Sequence, residues 1–275
     1  MKVDAHQHFW HYTPEAYDWI GPDMKILKQD FLPDDLAPLL ASAGIEGTVA
    51  VQARQTLEET NWLLELADRY PFINGVVGWV DLRNPELRGQ LERFCAHPKF
   101  RGVRHVVQDE LDDRFMLRED FIQGLETLSE FDLAYDILIF PRHLPVAYEL
   151  VEKFPEQRFV LDHITKPPIK DGKLMPWAAD IRRLAAFPNV FCKVSGMVTE
   201  ADWKAWKPDD FRPYLDVVFE AFGPRRIMFG SDWPVCTLAG TYTDVAQIVS
   251  DYVEQFSTEE QANIWGETAT RFYRL

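Results

Sequence analysis

Short β-branched or apolar runs alternate with longer amphipathic stretches along the chain. The strand candidates are residues 2–8, 47–53 ("GTVAVQA"), 73–82 ("INGVVGWVDL"), 100–107, 133–140 ("LAYDILIF"), 158–164 ("RFVLDHI"), 189–197 and 226–231. These eight runs are too short for helices and rich in residues that pack on a pleated surface. Between them, Thr56 with Glu59 resembles a capping box before "NWLLELADRY", and Asn84 followed by Pro85 opens the next helix. Pro71, Pro98, Pro155 and Pro188 stop four helices ahead of the following strand, and segments 143–155 and 177–187 carry apolar residues at three- and four-residue spacing. Each strand is thus followed by a crossover. The pattern predicts an α/β protein, one (β/α)8 TIM barrel domain over residues 1–275, rather than two doubly wound domains, since no Gly-x-Gly-x-x-Gly or P-loop marks a nucleotide-binding half. Two irregular stretches, 9–33 and 165–176 ("TKPPIKDGKLMP"), follow strand ends, where long loops shape pockets.

Composition adds exclusions. A 275-residue chain that is 47% hydrophobic and 27% charged can bury a large core unaided. A formal net charge of -15 repels nucleic-acid phosphates and anionic lipid, so neither nucleic acid nor membrane is an expected partner. Cys95, Cys192 and Cys236 lack paired spacing, which argues against a disulfide framework or a zinc ribbon. Asp4 and His6 break the first apolar stretch at once, so no signal peptide is read there, and no run approaches the roughly 18 apolar residues of a membrane span. A soluble, cytoplasmic protein is expected; its oligomeric state is left open.

Catalytic groups of such a barrel sit at the carboxyl ends of its strands. In "VDAHQHFW", two-residue alternation would put Asp4, His6 and His8 on one face. Later strands end near Gln52 and Arg54, in Arg104 and His105, and at Asp136, His163, Lys193 with Ser195, and Asp232. Burying such groups singly costs several kcal/mol, and a shared barrel mouth would supply partners. Arg54, Arg104, His105, Asp136 and Lys193 are candidate substrate contacts, whereas Arg142 and Lys166 read as solvated surface. Of nine tryptophans, Trp10, Trp19 and Trp233 follow catalytic strand ends and suit sugar stacking, while Trp62, Trp203 and Trp265 read as helix packing.

The motifs "DAHQHFW", "LDHITKPP" and "FGSDWPVC", with "GWVDL", "GVRHVVQDE", "CKVSGMVTEA" and "TATRFYRL", resemble the amidohydrolase superfamily, in particular its sugar-lactone and dicarboxylate lactonases. The resemblance spans essentially the whole chain. It implies that His6, His8, His163 and Asp232 match the superfamily's strand-one pair, strand-six histidine and strand-eight aspartate. It also exposes a departure: members that bridge two metals use a strand-four lysine or glutamate and a strand-five histidine, and here those strands offer Arg104, His105 and Asp136.

The implied activity is opening of a small-molecule sugar-acid lactone, such as an L-fuconolactone or L-rhamnonolactone, by an activated water. Asp232 would take the water's proton, His163 would orient both, and His6 and His8 would face the carbonyl. His6, His8, His163 and Asp232 could also form a mononuclear site for Zn²⁺ or Mn²⁺, and the expectation is no obligatory cofactor or one weakly bound divalent ion. A metal-dependent decarboxylase of unsaturated or aromatic acids is the alternative on this scaffold, disfavoured by the missing strand-five histidine. A non-catalytic sugar-acid binding protein ranks below both.

Overall fold

The computed structural model describes all 275 residues. Eight parallel strands pair in sequence order: β1 Val3–Gln7, β2 Gly47–Val51, β3 Ile73–Gly78, β4 Phe100–Val106, β5 Ala134–Leu138, β6 Phe159–Leu161, β7 Val190–Val194 and β8 Ile227–Phe229. The last strand returns to the first just beyond its end, where Asp232 N donates to the His6 carbonyl at 2.8 Å and His8 N to the Trp233 carbonyl at 2.7 Å. The result is a nearly closed (β/α)8 barrel, as the alternating pattern predicts.

The outer layer consists of α1 Pro33–Ala43, α2 Leu57–Arg69, α3 Leu87–Cys95, α4 Glu119–Ser129, α5 Leu144–Lys153, α6 Trp177–Ala185, α7 Pro208–Phe222 and α8 Tyr242–Val253. Two short helices follow, α9 Thr258–Ala262 and α10 Thr268–Tyr273. Thr56 caps α2 by accepting from Glu59 N at 3.2 Å. The Glu59 carboxylate does not close the box; it turns back to accept from Ala53 N and Arg54 N, fixing the loop at the end of β2.

The barrel has two apolar layers. Ile137, Ile139, Leu161 and Val194 face the helices in the main core. Val3, Val49, Val77, Ala134, Val160 and Met228 form a smaller cluster with Ala269, Phe272 and Tyr273 of α10, which stoppers the amino-terminal end of the barrel. Packing of this stopper leaves the opposite end as the open mouth.

Three local departures from strand geometry shape that mouth. In β1, three steps from Asp4 to Gln7 run beside two from Thr48 to Ala50, so one residue is extra and the side-chain alternation shifts. Asp4 therefore does not share a face with His6 and His8. It points away, accepting from Ser231 N at 2.9 Å and from the Tyr242 hydroxyl of α8 at 3.0 Å. After β6, His163, Ile164, Thr165 and Lys166 all take positive φ, and after β8 Asp232 does so at 57°. Pairing thus ends at Leu161 and Phe229, earlier than the apolar runs suggest, because the backbone turns to present His163 and Asp232; such conformations cost about 1–3 kcal/mol each and concentrate at functional sites.

Candidate active site

A cavity of about 800 Å³ opens at the carboxyl end of the barrel, floored by His8, Arg104, His163 and Asp232. Its walls come from the loop after β1 (Ala16, Asp18, Trp19, Met24) and the loop after β2 (Ala53, Arg54, Gln55), with Lys166, Glu200, Trp203 and Leu238 opposite. At the floor, Asp232 Oδ1 lies 3.4 Å from His8 Nε2 and 3.9 Å from both His6 Nε2 and His163 Nε2. One carboxylate oxygen is thus ringed by three imidazoles.

Each imidazole is held from behind. His8 Nδ1 is 2.8 Å from the Val51 carbonyl, which can only accept; its proton is therefore on Nδ1, and its Nε2 lone pair faces the mouth. His163 Nδ1 contacts Ser195 Oγ at 3.0 Å. His6 Nδ1 meets Lys193 Nζ at 3.1 Å and lies 3.3 Å from Asp162 Oδ1.

Beneath the floor is a charge network with no exposed member. Lys193 Nζ contacts Asp136 Oδ2 at 2.5 Å and Asp162 Oδ1 at 3.1 Å. Arg104 Nη1 donates to Asp162 Oδ2 at 3.0 Å, and Nη2 donates to the Gln52 carbonyl. The Tyr273 hydroxyl reaches both Asp136 oxygens, at 2.9 and 2.8 Å. Two cations thus face two carboxylates, a balance that a buried cluster requires.

Electrostatics separate the groups by role. Burial lowers the pKa of all three imidazoles, His6 well below its usual value and His163 to about 4, so they are neutral at neutral pH. Burial would raise the Asp232 carboxyl, but the facing His163 and His8 imidazoles outweigh it and hold the group below the usual carboxylate range. Desolvation pushes Asp136 up to about 6 despite Lys193, whereas Lys193, His6 and Arg104 overcome burial at Asp162 and hold it well below normal.

The Amidohydrolase family model matches residues 3–275. The chain belongs to this family. It is 44% identical over 286 residues to an L-fucono-1,5-lactonase from Burkholderia multivorans, covering 100% of this chain and 96% of the relative. An L-fucono-1,5-lactonase from Burkholderia ambifaria is 38% identical over 282 residues with the same coverage of 100% and 96%. A crystal structure of a Burkholderia multivorans amidohydrolase with bound zinc superposes with a TM-score of 0.97 at 44% identity, covering 100% of this chain and 99% of that one.

The His8 Nε2 lone pair and Asp232 Oδ1 face each other at 3.4 Å, and His6 Nε2 borders the same gap, 3.2 Å from His8 Nε2. Two imidazole nitrogens and a carboxylate oxygen converge on this gap, a donor set that a divalent ion fits.

The sequence-predicted residues divide by placement. His8, His163 and Asp232 meet at the floor with His6 buried against them, Arg54 and Arg104 reach the cavity, and Trp19 stands at its rim. Several proposed contacts lie elsewhere. His105 faces outward: it stacks on Phe115 and bonds Glu110 at 2.7 Å, because strand alternation gives the inner face of β4 to Arg104. Asp136 and Lys193 are inside the barrel but below the floor, occupied by each other and by Tyr273. Trp10 is fully buried against Tyr17 and Phe31 and donates to the Gln29 carbonyl, and Trp233 is buried against Phe9 and Phe31. Both brace the loop after β1 rather than line the cavity. Conversely, Trp203 and Lys166 line it, the latter 4.0 Å from Glu200. Sequence reasoning missed Asp162, Glu200 and Tyr273; "VLDHI" carried the Asp162 signal, a carboxylate closing an apolar run.

Proposed function

We propose that the protein is a hydrolase that opens a sugar-acid lactone, an aldonolactone of the L-fuconolactone or L-rhamnonolactone kind. The observation that carries this reading is the buried Asp232 carboxylate at the cavity floor, held ionised among three neutral imidazoles. The full-length likeness to the two L-fucono-1,5-lactonases gives the substrate class. An ionised carboxylate beside neutral imidazoles is the arrangement that draws a proton from water at neutral pH.

In this reading Asp232 takes the proton of a water as its oxygen bonds to the lactone carbonyl carbon. The Arg104 guanidinium, which lines the cavity floor, stabilises the oxyanion. Collapse breaks the ring C–O bond, and Asp232 returns the proton to the departing alkoxide. His163, braced by Ser195, orients the water and the carboxylate. Arg54, Lys166 and Glu200 on the walls face the sugar hydroxyls and the product carboxylate, and Trp19 and Trp203 offer flat apolar faces. A divalent ion held by His6, His8 and Asp232, with His163 adjacent, would supply Lewis-acid polarisation of the carbonyl.

The test is a panel of aldonolactones assayed near pH 8 with a pH indicator, since each turnover yields a carboxylate and a proton. Turnover of L-fuconolactone or a close relative is expected. Turnover confined to other ester classes, or CO₂ release from aromatic acids in its place, would overturn the reading.

A further inference from the structure

The hydrogen bonds through His6 run in one direction. Lys193 Nζ can only donate, and it does so to His6 Nδ1 at 3.1 Å. His6 Nε2 lies 3.2 Å from His8 Nε2, whose lone pair is exposed because the Val51 carbonyl fixes the His8 proton on Nδ1. The chain therefore closes as Lys193 to His6 to His8 to Val51 when the His6 proton sits on Nε2.

We infer that Lys193 is a positioning residue that holds His6 in its Nε2–H tautomer. His6 then donates its Nε2 proton to His8 in the metal-free protein, and a divalent ion binds His6 only after that proton has moved to Nδ1. The inference rests on the reading of this mouth as the reacting site.

The opposite tautomer leaves more groups unpaired. With the proton on Nδ1, its one acceptor is Asp162 Oδ1, which stands 3.3 Å away and makes no aligned hydrogen bond. The two Nε2 lone pairs of His6 and His8 would also face each other. One contact favours that form: Arg104 Nη1 lies 3.3 Å from His6 Nε2, but the same nitrogen is already satisfied by Asp162 Oδ2 at 3.0 Å. Lys193 has no comparable freedom. It is fully buried between Asp136, Asp162 and His6, and the Tyr273 hydroxyl locks Asp136 from the other side.

Metal uptake then has a defined proton balance. The Nε2 proton is given up as the ion bonds that nitrogen, a proton is taken at Nδ1, and the Nδ1–H turns toward Asp162 while Lys193 keeps its three protons. No net proton is released by His6. The cost of this rearrangement is set by Lys193, which must lose its acceptor.

The first test needs no variant: two-bond proton–nitrogen correlation spectra of the metal-free protein at pH 7.5, with the His6 signals assigned by their loss in His6→Asn. A bare Nδ1 and a protonated Nε2 are expected at His6, and the reverse pattern or an imidazolium would overturn the inference. The second test measures zinc affinity by chelator competition. Lys193→Met should bind zinc at least about tenfold more tightly, within the range by which outer partners of metal-bound histidines act. Lys166→Met removes a rim charge without touching His6, so it should change zinc affinity little. Unchanged or weaker zinc binding in folded Lys193→Met, or equal tightening in both variants, would refute a tautomer role; if Lys193→Met does not fold, the wild-type spectrum decides alone. Neither readout uses a substrate, so both stand apart from the lactonase reading.

Discussion

A Cβ on Gly196 would lie 2.4 Å from His163 Nδ1. The glycine follows Ser195, which bonds the same nitrogen, and its φ of 60° is one that a side chain adopts with strain. The close approach is what lets the imidazole stand over the floor. Gly196→Ala should therefore displace His163, cutting kcat by at least about tenfold while costing about 1–3 kcal/mol of stability. Steady-state kinetics and a thermal melt check this; wild-type values for both would show that the ring has room to move.

Asp232→Asn separates chemistry from binding. The amide keeps the size of the side chain but cannot accept the water's proton, so kcat should fall by about 10²- to 10⁴-fold with KM nearly unchanged. Near-native turnover would exclude Asp232 as the base and direct attention to Glu200, which also faces the cavity. Asp136 cannot take that role, since it lies below the floor in contact with Lys193 and Tyr273.

The acid limb of the pH profile should sit unusually low. Activity in the proposed mechanism needs ionised Asp232 and neutral imidazoles; Asp232 titrates below the usual carboxylate range and His163 at about 4. kcat/KM should stay level from pH 8 through 6.5, then fall as pH approaches 4. Stability follows the same sign. A histidine whose pKa drops from 6.5 to about 4 on folding leaves the unfolded chain binding more protons, so stability is lost as pH falls through that window, at up to about 1.4 kcal/mol per pH unit. His6 and His8 act in the same direction. A kinetic midpoint near 6.5 would mean that a solvated histidine governs turnover.

The two arginines at the mouth should respond differently. Arg104 is buried and pairs with Asp162, so Arg104→Ala leaves two buried carboxylates sharing Lys193 alone and should destabilise the fold by about 3–5 kcal/mol, beyond any rise in KM. As a substrate contact at a strand end, Arg104 is expected to raise KM when removed; the ion pair beneath the floor adds the loss of stability. Arg54 stands in the cavity wall, held over the Tyr17 ring, and its loop is pinned by Glu59. Arg54→Ala should raise KM about tenfold with an unchanged melting temperature. Equal melting temperatures for the two variants would contradict this division.

What could be read from the chain follows from the range of the interactions involved. Strands and the four floor residues were legible because alternation and strand-end position are local properties, and they place His6, His8, His163 and Asp232 without tertiary knowledge. The face of a residue was not. One extra residue in β1 turned Asp4 outward, and the inner face of β4 belongs to Arg104 rather than His105. Long-range partners were equally hidden. Tyr273 reaches Asp136 across 137 positions, and no local pattern marks it. Tryptophans followed the same rule: Trp10 fills the core of its own loop, while Trp203, on the loop after β7, reaches the cavity.

The site should hold one divalent ion at most. A second divalent ion beside the first would need a bridging ligand from the middle of the barrel, and the inner face of β4 carries a guanidinium there. Arg104 Nη1 lies 3.3 Å from His6 Nε2 and 3.0 Å from Asp162 Oδ2, so a fixed positive charge already neutralises the carboxylate that a second ion would use. Two cations in that space would repel at short range in a poorly screened site. Elemental analysis after dialysis against zinc or manganese should find at most one ion per chain. Treatment with a strong chelator should then remove it and leave most of the lactonase activity, because in the proposed mechanism Asp232 and the N–H donors of the floor act on water and carbonyl themselves. Two ions per chain would show that Arg104 swings aside. Activity that falls in proportion to metal content and returns with zinc would make His6 and His8 obligatory ligands, with the ion polarising the carbonyl.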